Sequence, residues 1–125
     1  YEPLPSDGSQ IRLVTIISAK KEEEIECVIA HFPFTKEAVD NLKYEAFSYV
    51  WGDATVTAPI KLNGQTFHAT KNLEAALRIL RLQNEERLIW IDAICINQSS
   101  IEERNQEVRH MDQIYQYAVR AVSGL

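Results

Sequence analysis

The sequence has few of the residues that are typical of disulfide-rich or membrane-spanning proteins. Its two cysteines, Cys27 and Cys95, lie far apart and outside any CxxC or histidine-rich cluster, which gives no support to a zinc site and favours a reducing compartment. No apolar run approaches the roughly 20 residues that cross a bilayer. The first ten residues lack the basic start and the apolar stretch of a signal peptide. We therefore expect a cytoplasmic protein without a membrane span.

Positive charge is also scarce. Lys and Arg number 13 against 18 Asp and Glu, a formal net charge of -5, which opposes binding to nucleic-acid phosphates or anionic lipid. There is no glycine-rich phosphate loop of the GxGxxG or P-loop type, which argues against dehydrogenase or kinase-like chemistry. The three histidines lie on different segments without ligand spacing. Nucleic acid and metal ions are therefore not expected partners.

The length and composition predict one domain. A chain of 125 residues with 46% hydrophobic content can build a single core without covalent help. No repeat, low-complexity tract or linker divides it, so the predicted domain spans residues 1–125. The chain begins at Tyr1 rather than at methionine, and we expect it to be part of a longer protein.

Apolar alternation and turn residues predict alternating strands and helices. The predicted strands are Ile11–Ile17 and Ile25–Phe32 as a hairpin, Tyr44–Val50, two short strands within Pro59–Thr70, Leu88–Ile96, and one that opens at Val119–Val122. The turn of the second hairpin is Asn63-Gly64, since a type I′ turn needs positive φ at both central residues. The predicted helices are Thr35–Lys43, Asn72–Leu82 and Ile101–Tyr117.

Caps and apolar stripes define the two longer helices. Asn72 is the predicted cap of the first, whose stripe is Leu73, Ala76, Leu77 and Leu80. For the second, Ser99 with Glu102 or Ser100 with Glu103 fits a capping box. Its apolar residues with helical spacing are Val108, Met111, Tyr115 and Ala118.

A strand-helix-strand unit predicts where a site would form. Such a crossover normally makes its two strands parallel, so Tyr44–Val50 and Leu88–Ile96 should end at the same edge of the sheet. The predicted site residues at these two tips are Ser48, Trp51, Gly52, Asp53, Cys95, Asn97 and Gln98. Ligands of open α/β sheets bind at the carboxyl ends of strands, which makes this edge the predicted ligand site.

Asp92 is the anomaly in the apolar run LIWIDAICI. A buried carboxylate must be paired or hydrogen-bonded, because an isolated charge is costly in a low-dielectric interior. Asp92 is either a brace that accepts hydrogen bonds from the neighbouring loop, which we favour, or an acid, base or ligand contact. Glu102 and Glu103 are further candidate carboxylates, although the helix dipole is a sufficient reason for acidic residues in a first turn.

The other candidates have structural alternatives. Trp51 is either a stacking platform or a rim residue, and Cys95 is a nucleophile only if a base lowers its pKa, and otherwise a small buried hydrophobe. Asn97 and Gln98 suit a polar ligand, but loop capping explains them equally well. Ser48 has no Gly-x-Ser-x-Gly elbow around it, which argues against a hydrolase nucleophile.

Several sequence blocks together resemble a known family. YEAFSYVWGD, LNG, NLEAALRILR, LIWIDAICINQ and ERNQEVRHMDQIYQYA resemble the successive blocks of the heterokaryon incompatibility (HET) domain of filamentous fungi. The resemblance extends from Ile11 to Val122. It implies a domain of a longer intracellular protein that triggers programmed cell death when genetically different hyphae fuse, a form of innate immunity.

The HET domain is in turn similar to the Toll/interleukin-1 receptor (TIR) domain. The similarity places YEAFSYV on the first TIR strand, NLEAALRIL on the first helix, LIWIDA on the second strand and SSIEERNQEVRHMDQIY on the following loop and helix. It implies a flavodoxin-like α/β fold, a three-layer core of parallel strands to which antiparallel hairpins have been added. Self-association is then the expected mode of signalling.

Some TIR domains hydrolyse NAD with a glutamate on the helix after the third strand. Here that strand begins at Val119 and Leu125 ends the chain, so no residue matches the glutamate. We expect the family pattern to continue beyond Leu125. Two hypotheses are kept: an assembly module, and an enzyme or binding domain for NAD or a related nucleotide in which Asp92, Glu102 or Glu103 supplies the carboxylate.

Overall fold

A computed structural model of the chain describes residues 3–5, 8–20, 22–48 and 56–122. The strands are β1 (Gln10–Ile16), β2 (Glu26–Pro33), β3 (Glu45–Phe47), β4 (Thr57–Leu62), β5 (Gln65–Thr70), β6 (Arg87–Ile91) and β7 (Arg120–Val122). The helices are α1 (Lys36–Leu42), α2 (Lys71–Leu80), α3 (Asp92–Cys95) and α4 (Ile101–Tyr117). Each predicted element has a counterpart, and α3 was not predicted.

All of these strands belong to one mixed sheet in the order β5-β4-β2-β1-β6-β3-β7. The two predicted hairpins, β1–β2 and β4–β5, are antiparallel, while β6, β3 and β7 run parallel. The predicted α/β class is therefore confirmed. A parallel contact between Glu26–Cys27 of β2 and Lys61–Leu62 of β4 joins the hairpins edge to edge, which the sequence did not predict.

The β4–β5 turn has the geometry that its sequence predicts. Asn63 and Gly64 both have positive φ, 52° and 78°, as a type I′ turn requires. The Asn63 side chain also exchanges two hydrogen bonds with the backbone of Ile29, from Ile29 N–H to Oδ1 at 2.7 Å and from Nδ2 to the Ile29 carbonyl at 3.3 Å. The asparagine thereby extends the contact between β4 and β2 beyond the end of β4.

Helices α2 and α4 cover opposite faces of the sheet. Arg87 and Trp90 lie an odd number of residues apart in β6, so their side chains leave opposite faces. Arg87 Nη1 donates to the Leu80 carbonyl at the end of α2 at 2.9 Å. The Trp90 ring meets the Tyr115 ring of α4 edge-on, with centroids 5.8 Å apart.

The predicted stripe of α2 is correct, but its predicted cap is wrong. Leu73, Ala76, Leu77 and Leu80 are all buried. The helix begins at Lys71, and the Thr70 hydroxyl, rather than the Asn72 side chain, accepts the Leu73 N–H at 3.1 Å. Thr70 is the last residue of β5 and has the extended backbone that a cap needs.

The predicted stripe of α4 is wrong at Val108. Val108 is 63% exposed, whereas Ile114 and Glu107 are buried. Val108 and Ile114 are six positions apart and so lie on different sides of the helix. The side that carries Ile114 packs against the core. Its cap follows the prediction in part, because the Ser100 hydroxyl accepts the Glu103 N–H at 3.2 Å.

The strand predicted over Leu88–Ile96 is also wrong in its second half. Strand β6 ends at Ile91, and Asp92–Cys95 forms a single helical turn, α3. Ala93, Ile94 and Cys95 are buried one after the other, and a short apolar run of this kind does not distinguish a buried strand from a buried turn. Asp92 is therefore half-buried at the start of a turn, not enclosed within a strand. In the described ranges no helix is long and apolar enough to cross a bilayer.

Candidate functional site

The two strand tips lie side by side, as the sequence predicted. β3 and β6 are parallel, with Phe47 of β3 in register with Ile91 of β6. The chain therefore leaves β3 at Ser48 next to the point where it leaves β6 at Asp92. Trp51, Gly52 and Asp53 lie outside the described residues, so their part in the site remains a prediction.

The loop after α3 forms one wall of this edge, and its polar side chains hold it in shape. Gln98 Nε2 donates to the carbonyls of Asp92 at 2.9 Å and Ile96 at 3.3 Å. Asn97 Oδ1 accepts the Ser99 N–H at 3.1 Å. The loop-capping interpretation of Asn97 and Gln98 is thus confirmed, and the Asp92 backbone carbonyl supports the wall.

Arg12 ties this wall to β1, which sequence reasoning missed. Its side chain is 1% exposed. Nη1 donates to the Cys95 carbonyl at 2.9 Å, and Nη2 pairs with Glu103 Oε1 at 2.8 Å. The other Glu103 oxygen accepts the Asn97 N–H at 2.6 Å. The signal was an arginine between Ile11 and Leu13 in a strand predicted to be apolar.

Both oxygens of Glu103 are engaged, so this carboxylate holds the wall to β1 and to the start of α4. Glu102, one residue earlier, is exposed and does not share that role. Among the candidate carboxylates, Glu103 braces the wall through these contacts. The brace expected at Asp92 stays a prediction.

Glu107 is a second buried carboxyl beside Arg12. It is 4% exposed and forms no hydrogen bond with the residues that the structure describes. Burial, and to a smaller extent the Glu103 charge, raise the pKa of Glu107 against the opposing Arg12 charge, and the net result is about 7. We call Arg12, Glu103 and Glu107 the Arg12 cluster. It contains two carboxyl groups for one guanidinium.

Cys95 lies behind the wall and not on it. Its side chain is fully buried, and Sγ accepts the Ile91 N–H at 3.4 Å. Burial raises the pKa of the Cys95 thiol to about 12, against the smaller lowering by that hydrogen bond. The interpretation of Cys95 as a small buried hydrophobe is confirmed, and a thiolate nucleophile is not supported.

Tyr115 of α4 is an unpredicted residue near the tips. Its hydroxyl is buried and faces Ser48, and the nearby Trp90 Nε1 is buried without a hydrogen-bond partner among the described residues. Burial raises the pKa of Tyr115, the nearby Ser48 hydroxyl lowers it and the Asp92 charge raises it. These effects place Ser48, Asp92 and Tyr115 around the same edge. Sequence reasoning had assigned Tyr115 to the core stripe of α4.

Two cavities lie in this part of the fold, and one of them borders the wall. One, of about 230 Å³, is lined by Phe67, His68, Ala69, Thr70, Leu73, Ala93, Asn97, Gln98 and Ser99. It lies between β5, the start of α2 and the wall, and it is smaller than the roughly 300–1,000 Å³ of typical small-molecule sites. The other, of about 630 Å³, is lined by Arg12, Ile29, Ala30, His31, Leu62, Asn63, Gln65, Thr66 and Phe67. Phe67 borders both cavities.

The chemistry of the edge follows from these contacts. It offers amide side chains, a half-buried carboxylate and a buried phenol, but no thiolate. Across residues 3–5, 8–20, 22–48 and 56–122, no three His, Cys, Asp or Glu side chains cluster as metal ligands would. The arrangement suits the binding of a polar group by hydrogen bonds.

Comparison with known proteins places this geometry in a family. The model of the family described as heterokaryon incompatibility protein (HET) matches residues 44–125, which contain the parallel strands and the wall. The chain is 35% identical, over 98% of its length, to heterokaryon incompatibility protein 6, OR allele, of Neurospora crassa, and it spans 19% of that protein. No solved structure matches the chain.

Proposed function

The chain belongs to the heterokaryon incompatibility (HET) family, and from this premise we propose that it acts in fungal nonself recognition. In this role it is a signalling and assembly module whose activation triggers programmed cell death. The observation that carries the proposal is the similarity to an incompatibility protein of Neurospora crassa over 98% of the chain. The chain spans 19% of that relative. In the proposed function, other domains of a longer protein would recognise the nonself signal and bind partners in the cytoplasm.

The sheet supports a TIR-like core for this module. Of the three parallel strands, β3 is first in the chain and lies in the middle, between β6 and β7. That is the 2-1-3 strand order with which flavodoxin-like sheets begin. The positions of α2 and α4 on opposite faces agree with the same arrangement, and β1, β2, β4 and β5 would then be additions.

Cell death in the fungus tests this function directly. We would express the full-length protein and variants from an inducible promoter at matched levels, and count hyphal compartments that take up a vital dye. Gln98→Ala removes the two hydrogen bonds that hold the wall, and we expect it to reduce killing. The control is Gln83→Ala, which changes an exposed glutamine. A full-length protein that kills no compartments at any level would contradict the proposal.

The second candidate function is the binding or hydrolysis of NAD or a related nucleotide. The observation that favours it is the cavity beside Asn97 and Gln98 at the carboxyl edge of parallel strands. In hydrolysis, a water oxygen would bond to the anomeric carbon, nicotinamide would leave with the bonding electrons, and a proton would be released. A carboxylate such as Asp92 would stabilise the oxocarbenium-like transition state.

Nicotinamide release from NAD distinguishes the two candidates. We would incubate the full-length protein with NAD and follow nicotinamide and assembly size together. The enzyme hypothesis would be favoured if the protein releases nicotinamide and the Asp92→Asn variant does not, provided that the variant has the same thermal stability as the unmodified protein. Assembly with intact NAD would favour the signalling module alone.

A further inference from the structure

We propose that the outer face of α4 is a self-association surface that pairs two copies of this chain antiparallel about a two-fold axis. This inference rests on the proposed assembly function and names the surface that would perform it. We define the α4 outer face as Ile101, Glu102, Asn105, Val108 and Arg109.

Two aliphatic side chains form the apolar centre of this face. Ile101 is 66% exposed and Val108 is 63% exposed. Seven residues are close to two helical turns, so both side chains lie on the same side of α4. The opposite side contacts the protein through the buried Ile114 and Glu107. Single exposed aliphatic residues are ordinary, but two in line on one helix form a stripe.

Two opposite charges accompany the stripe at the same spacing. Glu102 and Arg109 each follow one of the aliphatic residues, so they lie along the same flank of the helix, and both are exposed. Arg109 Nε donates to the Asn105 carbonyl at 3.3 Å, which directs this side chain along the face towards the middle of the stripe.

A two-fold axis at Asn105 makes the face complementary to itself. In an antiparallel pair, Ile101 of one copy meets Val108 of the other, and Val108 meets Ile101. The same axis keeps each flank on its own side, so Glu102 of one copy meets Arg109 of the other, twice. Such isologous contacts are the usual basis of homodimers. A parallel two-fold pair would place the two charged flanks on opposite sides of the interface, so no contact between Glu102 and Arg109 would form.

The same charges explain why a second copy is the occupant. An apolar stripe alone would accept many partners. Glu102 and Arg109, however, lie on either side of Asn105 at similar distances. Opposite charges placed in this way match a second copy turned end to end, and an unrelated partner would not require that symmetry. The face is narrow, which places it at the low end of interface sizes. We therefore expect pairing only at high local concentration, as when full-length copies are brought together.

Charge reversal and mixing test the proposal. We would measure the mass of the chain by sedimentation equilibrium at low salt, from about 10 µM to about 1 mM, the range over which weak interfaces associate. Glu102→Arg and Arg109→Glu should each weaken dimerisation by about tenfold or more, because each creates two like-charge contacts. An equimolar mixture should recover the dimer, since Arg at 102 in one copy then faces Glu at 109 in the other.

The controls keep the outcome decisive. Lys36→Glu reverses an exposed charge on α1 and should dimerise like the unmodified chain, and thermal melts should show that each variant is folded. The proposal is overturned by an unmodified chain that stays monomeric at about 1 mM, or by reversals that change nothing or are not rescued on mixing. Assembly and killing that survive both reversals would overturn this surface but leave the proposed function standing.

Discussion

An arginine lies at each end of the parallel strands, half-buried Arg87 at the amino end and fully buried Arg12 of β1 at the carboxyl end, and the two arginines have different partners. At the amino end, Arg87 meets Glu45 through two hydrogen bonds, Nε to Oε1 at 2.7 Å and Nη2 to Oε2 at 2.9 Å. At the carboxyl end, Arg12 pairs with Glu103, and the carboxyl group of Glu107 lies beside the pair without a hydrogen bond from the described residues.

The difference between the two ends appears in the pKa values of the carboxyl groups. Hydrogen bonding to Arg87 lowers the pKa of Glu45 against the opposing effect of burial, so the amino end is a matched pair that stabilises the fold. Burial raises the pKa of Glu107 to about 7, so the carboxyl end has an acid that can change its protonation near neutral pH. The candidate site lies at the carboxyl end, beside this titratable acid.

Removal of the Arg12 guanidinium should have the largest effect. Arg12→Met keeps the length of the side chain but leaves the Glu103 carboxylate buried without its cation, and we expect a loss of about 3–5 kcal/mol in the free energy of unfolding. Urea denaturation followed by circular dichroism measures it. Arg104→Met, an exposed change on α4 next to Glu103, should cost less than about 0.5 kcal/mol. A loss in Arg12→Met as small as in this control would show that the Arg12 cluster does not hold the wall.

Glu107→Gln should stabilise the protein at alkaline pH. Because the folded state raises the pKa of Glu107 to about 7, this group disfavours folding once the pH rises above its unfolded value of about 4.3. We expect Glu107→Gln to be more stable on the order of 2–3 kcal/mol at pH about 8 and to match the unmodified chain near pH 4. The exposed Glu102→Gln is the control, and equal pH profiles for all three proteins would contradict the buried-acid interpretation.

Glu45→Gln tests the matched pair and should show the opposite pH dependence. The folded state lowers the pKa of Glu45, so its contribution is present above the unfolded value of about 4.3 and is lost as the pH falls below it. We expect a loss of about 1–2 kcal/mol at pH about 7, between the effects of exposed and buried pairs. Chemical denaturation at several pH values, with Glu85→Gln as an exposed control, measures it. A loss that grew in acid would refute the assignment.

The smallest expected effect is that of the α4 cap, which positions Glu103 for Arg12. Ser100→Ala removes the hydroxyl that accepts the Glu103 N–H, and the free energy of unfolding should fall by about 1 kcal/mol. Ser99→Ala is the matched control, because Ser99 contributes its backbone N–H to Asn97. If both serines cost the same amount, Ser100 is not the functional cap.

Features that depend on neighbouring residues were predictable. The Asn63-Gly64 turn, the stripe of α2 and the parallel course of β3 and β6 all followed from local pattern or from a connection rule. The site was predictable only in part, since its edge and the loop of Asn97 and Gln98 were foreseen. The predicted bracing carboxylate was Asp92, and the bracing contacts of Glu103 were not foreseen.

The missed features depend on residues that meet only in the folded chain. Arg12 and Glu103 are 91 positions apart, and no local pattern distinguishes that pair from two surface charges. The burial of Ile114 rather than Val108 is of the same kind, since each residue fits a helical stripe on its own side of α4. The α3 turn was missed because a short apolar run is compatible with a strand or a turn.

The amino-acid sequence by itself determined the family, the succession of strands and helices, the Asn63-Gly64 turn and the cap of α4, because each depends on residues that are close along the chain. Only the tertiary structure decided which charged side chains are buried, which carboxylate Arg12 holds and which face of α4 is left outside. The reason is that the energy of a buried charge depends on its distance from partners brought by other strands and helices, and those distances exist only once the sheet has formed.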